Sequence, residues 1–449
     1  MRRGEGRAGC VVLAWLVLAA ACSALPAAAQ QHPAIVVTPG KRQVFKAAVQ
    51  SFEDVSGAPS RERAMGFRQA LSDALAYSSV FETIDPKAFL GPQETTDFAA
   101  GRPIACGDWT TIGTDALIEG EIRFDQKHFA AEFRAWDTAR CRRLIRKRYR
   151  QEAGLDPGIL AKRIADDVVA AFIGVRGVSS TEIAFVSDRR GNKEIYVMDA
   201  DGGRQRAVTA NGSINNFPGW SPNGDSIVFT SYRHHNQPNI FISTRGKSAP
   251  RRLLTGMDPN LSQYRAVFNP VGDRLAVVMT TGGPSEIYSV RPGARKIRRL
   301  TRNKVIDVSP TWSPNGEQIA FVSDRAGAPH IYVMDADGGN VRRITYNGSY
   351  NTGPVWSPDG KWIAYETRVG GQFDIWLIDP EGTVNVPLIT HPSSDEAPSW
   401  SPNSRKIAFS SVRRGLADVY VQDIEGGPPR RLTRGKGNST SPGWGPFPR

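Results

Sequence analysis

The second half of the chain alternates short apolar runs with clusters of turn-forming residues. Residues 227–229, 319–321 and 407–409 read Ile-Val-Phe, Ile-Ala-Phe and Ile-Ala-Phe. Asn-Gly, Asp-Gly and Gly-Gly pairs recur between such runs, and these turns between β-branched and aromatic segments are typical of antiparallel hairpins. The pattern therefore predicts an all-β region built of short, sequentially paired strands.

A Trp-Ser-Pro motif divides this region into repeats. Its aromatic residue recurs with spacings of 48, 44, 44, 44 and 44 residues, at Trp220, Phe268, Trp312, Trp356, Trp400 and Trp444. Four strands in each of six repeats predict a six-bladed β-propeller. The first apolar run, at Ile183, has no motif before it, and the last motif has no run after it. We therefore expect the C-terminal strand to pair with the first blade and close the ring.

Residues 43–174 lack this period and predict a small α/β domain. Apolar residues at helical spacing predict helices over 61–77 and 160–173. Alternating segments predict strands, over 80–84, 115–122, 128–137 and 143–150. Residues 175–180 are the predicted linker, and residues 181–449 form the predicted propeller.

The first 29 residues have the pattern of a cleaved secretory signal peptide. Three arginines precede an apolar run over 11–21, and Ala27-Ala28-Ala29 supplies a small-residue cleavage site. The apolar run is too short for a permanent membrane span, and no other window is long and apolar enough. A lipoprotein signal acylated at Cys22 is the alternative, but Ala19 replaces the usual Leu. The mature chain is expected to be exported into an oxidising compartment.

Cleavage of this signal leaves two cysteines, Cys106 and Cys141. In an oxidising compartment they are candidates for a disulfide. Two buried free thiols are the alternative, and the sequence alone does not decide between them.

The net charge of +13 raises the question of nucleic-acid binding. The densest basic run, over 140–150, interleaves its charges with Leu144, Ile145 and Tyr149, as a solvated strand does. Because the chain is also expected to be exported, nucleic acid is not a predicted partner. The 40% of hydrophobic residues are ample for a folded core.

The sequence offers no obvious catalytic motif. It contains no Gly-x-Ser-x-Gly, His-x-x-x-His or Cys-x-x-Cys, so neither a nucleophile elbow nor a familiar metal spacing is present. No enzymatic activity, cofactor or metal is predicted, and a rigid binding platform at the channel mouth is favoured. An exported hydrolase that acts on a small ester or glycan in the central channel is the alternative.

Three segments outside the repeats carry a resemblance to a known family. They are 108–120 (Asp-Trp-Thr-Thr-Ile-Gly-Thr-Asp-Ala-Leu-Ile-Glu-Gly), 132–137 (Glu-Phe-Arg-Ala-Trp-Asp) and 163–167 (Arg-Ile-Ala-Asp-Asp). With the repeats and the signal peptide, they resemble the TolB family of the Tol–Pal cell-envelope system over the whole mature chain. The resemblance implies a periplasmic protein with no known catalytic activity that supports outer-membrane integrity and envelope constriction at division.

The resemblance also implies two partners. The propeller is expected to bind the lipoprotein Pal at its channel mouth, and other outer-membrane lipoproteins are further candidates. The extended segment 30–42 is expected to add a strand to the TolA C-terminal domain. The residues assigned to that contact are His32, Ile35, Val36, Val37 and Thr38. The alternative is that they form an edge strand of their own domain.

The loops that enter the first strand of each blade are the predicted Pal site. Their polar residues are Asn215, Asn216, Tyr264, Arg265, Asp307, Asn351, Asp395 and Glu396. Each of them can instead cap its own turn. The loop before Phe268 is four residues longer than the others, so its alignment is the least secure.

Overall fold

The computed structural model describes residues 43–95, 98–101, 104–247, 249–255, 261–293 and 297–448. The predicted signal peptide and the segment 30–42, with the five residues assigned to TolA, lie outside these ranges.

A six-stranded mixed sheet forms the N-terminal domain. Its main path runs in the order β3-β1-β4-β5-β6, with β2 paired to β4. The parallel pairs join β1 to β3 and β4, and β2 to β4, whereas β4, β5 and β6 form antiparallel hairpins. The strands are β1 (Phe45–Val49), β2 (Glu53–Asp54), β3 (Phe81–Thr83), β4 (Ala116–Phe124), β5 (His128–Asp137) and β6 (Arg142–Glu152).

Two helices cover one face of this sheet. Helix α1 (Arg61–Tyr77) begins where the Ser60 hydroxyl accepts a hydrogen bond from the Arg63 N–H at 3.2 Å. A short helix, α2 (Cys106–Thr111), precedes β4, and α3 (Gly158–Ile173) ends at Gly174 with a left-handed φ of 73°. The apolar faces of α1 and α3 share one core with the sheet, as the 3.6-residue periodicity requires. Single 3₁₀ turns occur at Pro86–Ala88 and Phe98–Ala100.

The basic run of the sequence lies on β6 at the sheet edge. Two of its cations pair with carboxylates of neighbouring elements: Arg146 contacts Glu132 at 2.7 Å, and Lys147 contacts Asp167 at 2.7 Å. These charges belong to a partly solvated strand, as the interleaved pattern predicts. Beside this sheet, a disulfide joins Cys106 of α2 to Cys141 of the β5–β6 turn.

Six four-stranded antiparallel sheets form the propeller, which confirms the fold predicted from the repeats. Blades one to three contain β7 (Glu182–Arg190), β8 (Asn192–Asp199), β9 (Arg206–Ala207); β10 (Asn215–Trp220), β11 (Ser226–His234), β12 (Gln237–Thr244), β13 (Arg251–Arg252); β14 (Ser262–Phe268), β15 (Leu275–Thr280), β16 (Glu286–Val290) and β17 (Ile297–Arg299). Blades four to six contain β18 (Asp307–Trp312), β19 (Gln318–Ser323), β20 (His330–Asp335), β21 (Arg342–Arg343); β22 (Asn351–Trp356), β23 (Ile363–Val369), β24 (Gln372–Ile378), β25 (Asn385–Ile389); β26 (Asp395–Trp400), β27 (Lys406–Arg414), β28 (Leu416–Asp423) and β29 (Arg430–Arg431).

The last strand, β30 (Ser439–Trp444), completes blade one by pairing with β7. Beside this pair, Asp188 accepts hydrogen bonds from the backbone N–H and the side-chain amide of Asn438, at 2.6 and 2.9 Å. The ring therefore closes as predicted, and β7 has a neighbour on both sides.

The repeated tryptophans join neighbouring blades. Several indole N–H groups donate to a backbone carbonyl of the preceding blade, in the pairs Trp220–Gly443 at 2.9 Å, Trp312–Val267 at 3.3 Å and Trp400–Val355 at 3.0 Å. Their rings are buried or half-buried between sheets. The repeated aromatic residue therefore has a structural role between blades.

The N-terminal domain contacts blade one through ionic and polar side chains. The Tyr77 hydroxyl at the end of α1 donates to the Ala200 carbonyl at 2.7 Å. The Lys162 ammonium of α3 lies 2.6 Å from both Asp199 and Asp201. Burial raises the pKa of Tyr77 well above its ordinary value, so this hydroxyl stays a donor at neutral pH.

The segment between the two domains is held by one buried carboxylate. Asp166 of α3 accepts hydrogen bonds from the N–H groups of Ser179 and Ser180, at 2.7 and 2.9 Å, and from the Ser180 hydroxyl. Because both serines directly precede β7, this carboxylate fixes the direction in which the chain enters the propeller.

Candidate functional site

A channel of about 510 Å³ runs along the axis of the propeller, lined by the first strand of every blade. Each of these strands has a bulge, seen as a register shift against its neighbour, after its second residue or, in the longer β14, after its third residue Tyr264. The residue that begins each bulge has a positive φ in every case and lines the channel, namely Phe217, Arg265, Ser309, Gly353, Ala397 and Ser441. The bulges thus place one equivalent residue from each blade around the axis.

The residue two positions before this positive-φ residue lies on the other side of the bulge and is buried in every blade. Asp307 and Asp395 are fully buried and pair with Arg325 at 3.2 Å and Arg413 at 2.8 Å, respectively. Two of the predicted Pal residues therefore carry ion pairs within their own blades.

Two predicted asparagines lie at the same buried position. The Asn215 amide donates to Glu194 at 2.9 Å and to Asn211 at 3.0 Å. The Asn351 amide contacts His330 Nδ1 at 3.0 Å and the Asn347 carbonyl at 2.9 Å. These groups hold the loop that precedes each strand, and their role in binding a partner stays a prediction.

The residue directly before the positive-φ residue is more accessible. Glu396 is exposed and lines the channel. Asn216 is half-buried, and so is Tyr264, whose hydroxyl contacts the Ser285 hydroxyl. Of the predicted set, only Arg265 and Glu396 line the channel, and the buried members hold the loops.

Charged and aromatic side chains meet inside the channel. The half-buried Arg265 guanidinium lies 5.1 Å from the centre of the Phe217 ring, and the Phe217 side chain is 37% exposed. Burial lowers the pKa of Arg265, while the charge of Glu366 acts in the opposite direction. Both side chains line the channel, so the cation–π contact is part of its surface.

Two carboxyl groups in this channel have raised pKa values. Burial raises the pKa of Glu366, although the Ala397 N–H donates to it at 2.9 Å and Arg265 opposes the shift. Burial also raises the pKa of Glu396, with the charge of Asp395 as the second cause. The channel can therefore hold protonated carboxyl groups at a higher pH than open solvent allows.

Phe217, Glu366 and Lys193 line the channel but were not among the predicted residues. Glu366 pairs with the second residue of its neighbouring strand, where the other blades have Val186, Thr230, Val278, Val322 and Ser410. Comparing second strands across the repeats would have revealed this charge in the sequence.

The described residues contain no cluster of three or more His, Cys, Asp or Glu that could hold a metal ion. In the same part of the chain, no helix has the length and apolar character needed to cross a bilayer.

The fold and the channel define a class: two-domain proteins in which a six-bladed propeller follows an α/β domain. A family model described as the TolB beta propeller domain matches residues 170–448, and one described as the TolB amino-terminal domain matches residues 33–144. The chain belongs to the TolB family.

Relatives and a solved structure agree with this assignment. The Tol-Pal system protein TolB of Anaeromyxobacter dehalogenans (strain 2CP-1 / ATCC BAA-258) is 34% identical over 287 residues, 64% of this chain and 63% of that relative. The protein of the same name from Desulfosudis oleivorans is 33% identical over 261 residues, 57% of each chain. The matched part thus spans less than two thirds of these relatives. The crystal structure of TolB from Acinetobacter baumannii shares the fold, with a TM-score of 0.78 at 23% identity over 90% of this chain and 97% of that chain.

Proposed function

We propose that this protein is a non-enzymatic, periplasmic component of a Tol–Pal system that binds the lipoprotein Pal at the mouth of its propeller channel. The observation that carries the proposal is the ring of six channel-lining residues, in which the accessible Phe217 ring and the half-buried Arg265 guanidinium form an aromatic–cation pair. Aromatic and arginine side chains at the centre of a concave surface are the residues that most often dominate protein–protein binding energy.

Affinity for purified Pal, measured by calorimetry, tests this placement. Phe217→Ala removes the exposed ring and the support of the Arg265 guanidinium, so it is expected to weaken Pal binding by about tenfold or more. Glu396→Gln keeps the shape of the side chain and is expected to change affinity less. Both side chains are accessible, so neither substitution should disturb the fold.

Glu317→Gln is the matched control. Glu317 is exposed on the turn after β18, the first strand of blade four, and this turn lies at the opposite end of β18 from the channel mouth. The same variants also show whether Pal binds elsewhere. Unchanged affinity in both Phe217→Ala and Glu396→Gln would remove the channel mouth as the Pal site.

The second half of the proposal concerns segment 30–42, which we assign to the TolA C-terminal domain. Residues 35–38 read Ile-Val-Val-Thr, a β-favouring sequence suited to strand addition. Deleting residues 30–42 is expected to abolish binding of the TolA domain in a pull-down and to leave Pal affinity unchanged. Retained TolA binding would contradict this assignment.

A hydrolase acting in the channel is the second candidate. The observation that favours it is the presence of two carboxyl groups with raised pKa values, Glu366 and Glu396, in one channel, since a protonated carboxyl can act as a general acid. A panel of ester and glycan substrates tests it. Turnover by the parent protein that is lost in Glu366→Gln would establish this alternative.

A further inference from the structure

A second cavity, of about 440 Å³, lies between helix α3 and blades one and two. It includes the turn that follows β10, so it opens at the opposite end of the propeller from the channel mouth. Ile159, Trp220 and Phe447 are apolar residues of its lining. Its volume falls in the range of pockets that bind small ligands or a few peptide side chains.

Positive charge exceeds negative charge around this cleft. Four arginines and two acidic residues line it, and one of the arginines, Arg204, is already paired with Asp199 at 2.6 Å. Glu182 is shared between two of the arginines, with Arg206 at 2.8 Å and Arg245 at 2.6 Å. One carboxylate cannot neutralise two guanidinium groups, and the side chains of both arginines are at least half exposed. Both can therefore bind an additional carboxylate.

Arg163 is the cation of this cleft that is unpaired among the described residues. It lies half-buried on α3 and lines the cleft, yet it has no hydrogen-bond or ion-pair partner among the described residues. Its neighbours in the Arg-Ile-Ala-Asp-Asp segment are occupied: Asp166 binds Ser179 and Ser180, and Asp167 binds Lys147. Holding a guanidinium partly out of water without a counter-charge is unfavourable, so the cleft is matched to an incoming anion.

We propose that this cleft binds an acidic peptide segment of a partner protein, with carboxylates on Arg163 and Arg245 and an apolar side chain against Trp220 and Phe447. Guanidinium groups bind carboxylates in a bidentate geometry, and the adjoining aromatic rings favour a peptide over a simple anion. The chain's own segment 30–42 does not match, because it contains Lys41 and Arg42 and no Asp or Glu.

A phage-displayed heptapeptide pool tests the proposal on the purified full chain. Each peptide carries one Phe, Leu or Trp with two Asp or Glu residues on each side of it. The remaining two positions are Gly, Ser or Ala. The most enriched peptide is then labelled with fluorescein, and its affinity is measured by anisotropy. Arg163→Glu is expected to raise its Kd about tenfold or more, because a favourable charge contact becomes repulsive. Arg163→Lys is expected to have a smaller effect, since the charge remains.

Arg274→Glu in blade three is the matched control. It reverses the charge of another partly exposed arginine, whose near carboxylate is Asp273 at 3.7 Å, and should leave the peptide affinity unchanged. The peptide with Asn and Gln in place of its acids should bind at least about tenfold more weakly.

Four results would overturn the proposal: no enrichment from the pool, an unchanged Kd in Arg163→Glu, equal binding of the amide peptide, or displacement by an equal concentration of inorganic phosphate. Pal affinity, measured on the same Arg163→Glu protein, is expected to stay at the parent value. The proposal for the cleft and the proposal for the channel mouth can therefore be contradicted independently of each other.

Discussion

The N-terminal domain and the propeller are held together by different long-range links. A disulfide, Cys106–Cys141, joins elements beside the mixed sheet of the N-terminal domain. The propeller has no cysteine, and its ring closes through the pairing of β30 with β7. The covalent link restrains one local loop, whereas the strand pairing holds together residues that lie about 250 positions apart in the sequence. Closure of the propeller should therefore affect the stability of the whole ring.

Removing β30 is expected to have the largest effect on stability. A chain that ends after Gly437 leaves β7 as an open edge and loses the Trp444–Thr181 hydrogen bond of 2.8 Å. We expect loss of the cooperative thermal transition of the propeller, followed by circular dichroism, and aggregation through the open edge. A chain that lacks only Arg449 is the control. A cooperative transition in the truncated chain, at the parent temperature, would show that closure is dispensable.

The disulfide is expected to have the next largest effect. Its cysteines lie 35 residues apart, and restraining a loop of this length contributes about 3–4 kcal/mol in the chain-entropy description. Replacing both cysteines by Ser should lower the free energy of unfolding of the N-terminal domain by that amount in urea. Parent protein with reductant is the control and should match the variant. An unchanged urea profile would remove the disulfide as a stabilising feature.

The junction between the two regions should come third. Asp166→Ala leaves Ser179 and Ser180 without their buried acceptor, and unsatisfied groups of this kind cost about 2–3 kcal/mol in total. Asp73→Ala on the exposed face of α1 is the control, with an expected change below about 0.5 kcal/mol. Equal urea midpoints for the two variants would contradict the role of Asp166 in fixing the linker.

A channel carboxyl should give the smallest effect. Burial raises the pKa of Glu366, so the folded protein binds its proton more tightly than the unfolded chain does. The stability from this group is complete below the unfolded pKa and is lost as the pH rises through the folded pKa. Glu366→Gln should therefore be more stable than the parent at about pH 8 and similar to it at about pH 4. Its amide oxygen can still accept the Ala397 N–H.

Urea unfolding at both pH values measures this difference, with the exposed Glu317→Gln as the control. A stability gain that is the same at both pH values would mean that the substitution acts through packing and not through the proton.

The fold could be predicted from the sequence largely because the propeller repeats. The 44-residue spacing of the Trp-Ser-Pro motif gave the number of blades, and the unpaired run at Ile183 gave the ring closure. Helix α1 was also predicted with its observed bounds, since its apolar residues recur at helical spacing. The strand Phe45–Val49 was missed: it is a short segment paired in parallel with strands far along the chain, and no local turn marks it.

The channel residues were harder to predict because a bulge intervenes. The polar loop residues were identified, but the register shift after the second residue places Asp307 in the blade interior and Ser309 at the channel. Strict alternation along the strand would put both side chains on one side. The bulge is a backbone feature, seen here as a φ of 56° at Ser309, and five of the six equivalent positions lack the glycine that would have signalled it.

The pairing of β30 with β7 has a further consequence for the order of assembly. Blade one is the first blade in the sequence, yet it stays incomplete until the most C-terminal strand is available. The same blade supplies Ala200, Asp199 and Asp201, which contact Tyr77 and Lys162 of the N-terminal domain. The N-terminal domain can thus fold early in synthesis or export, but its docking surface on the propeller is finished last.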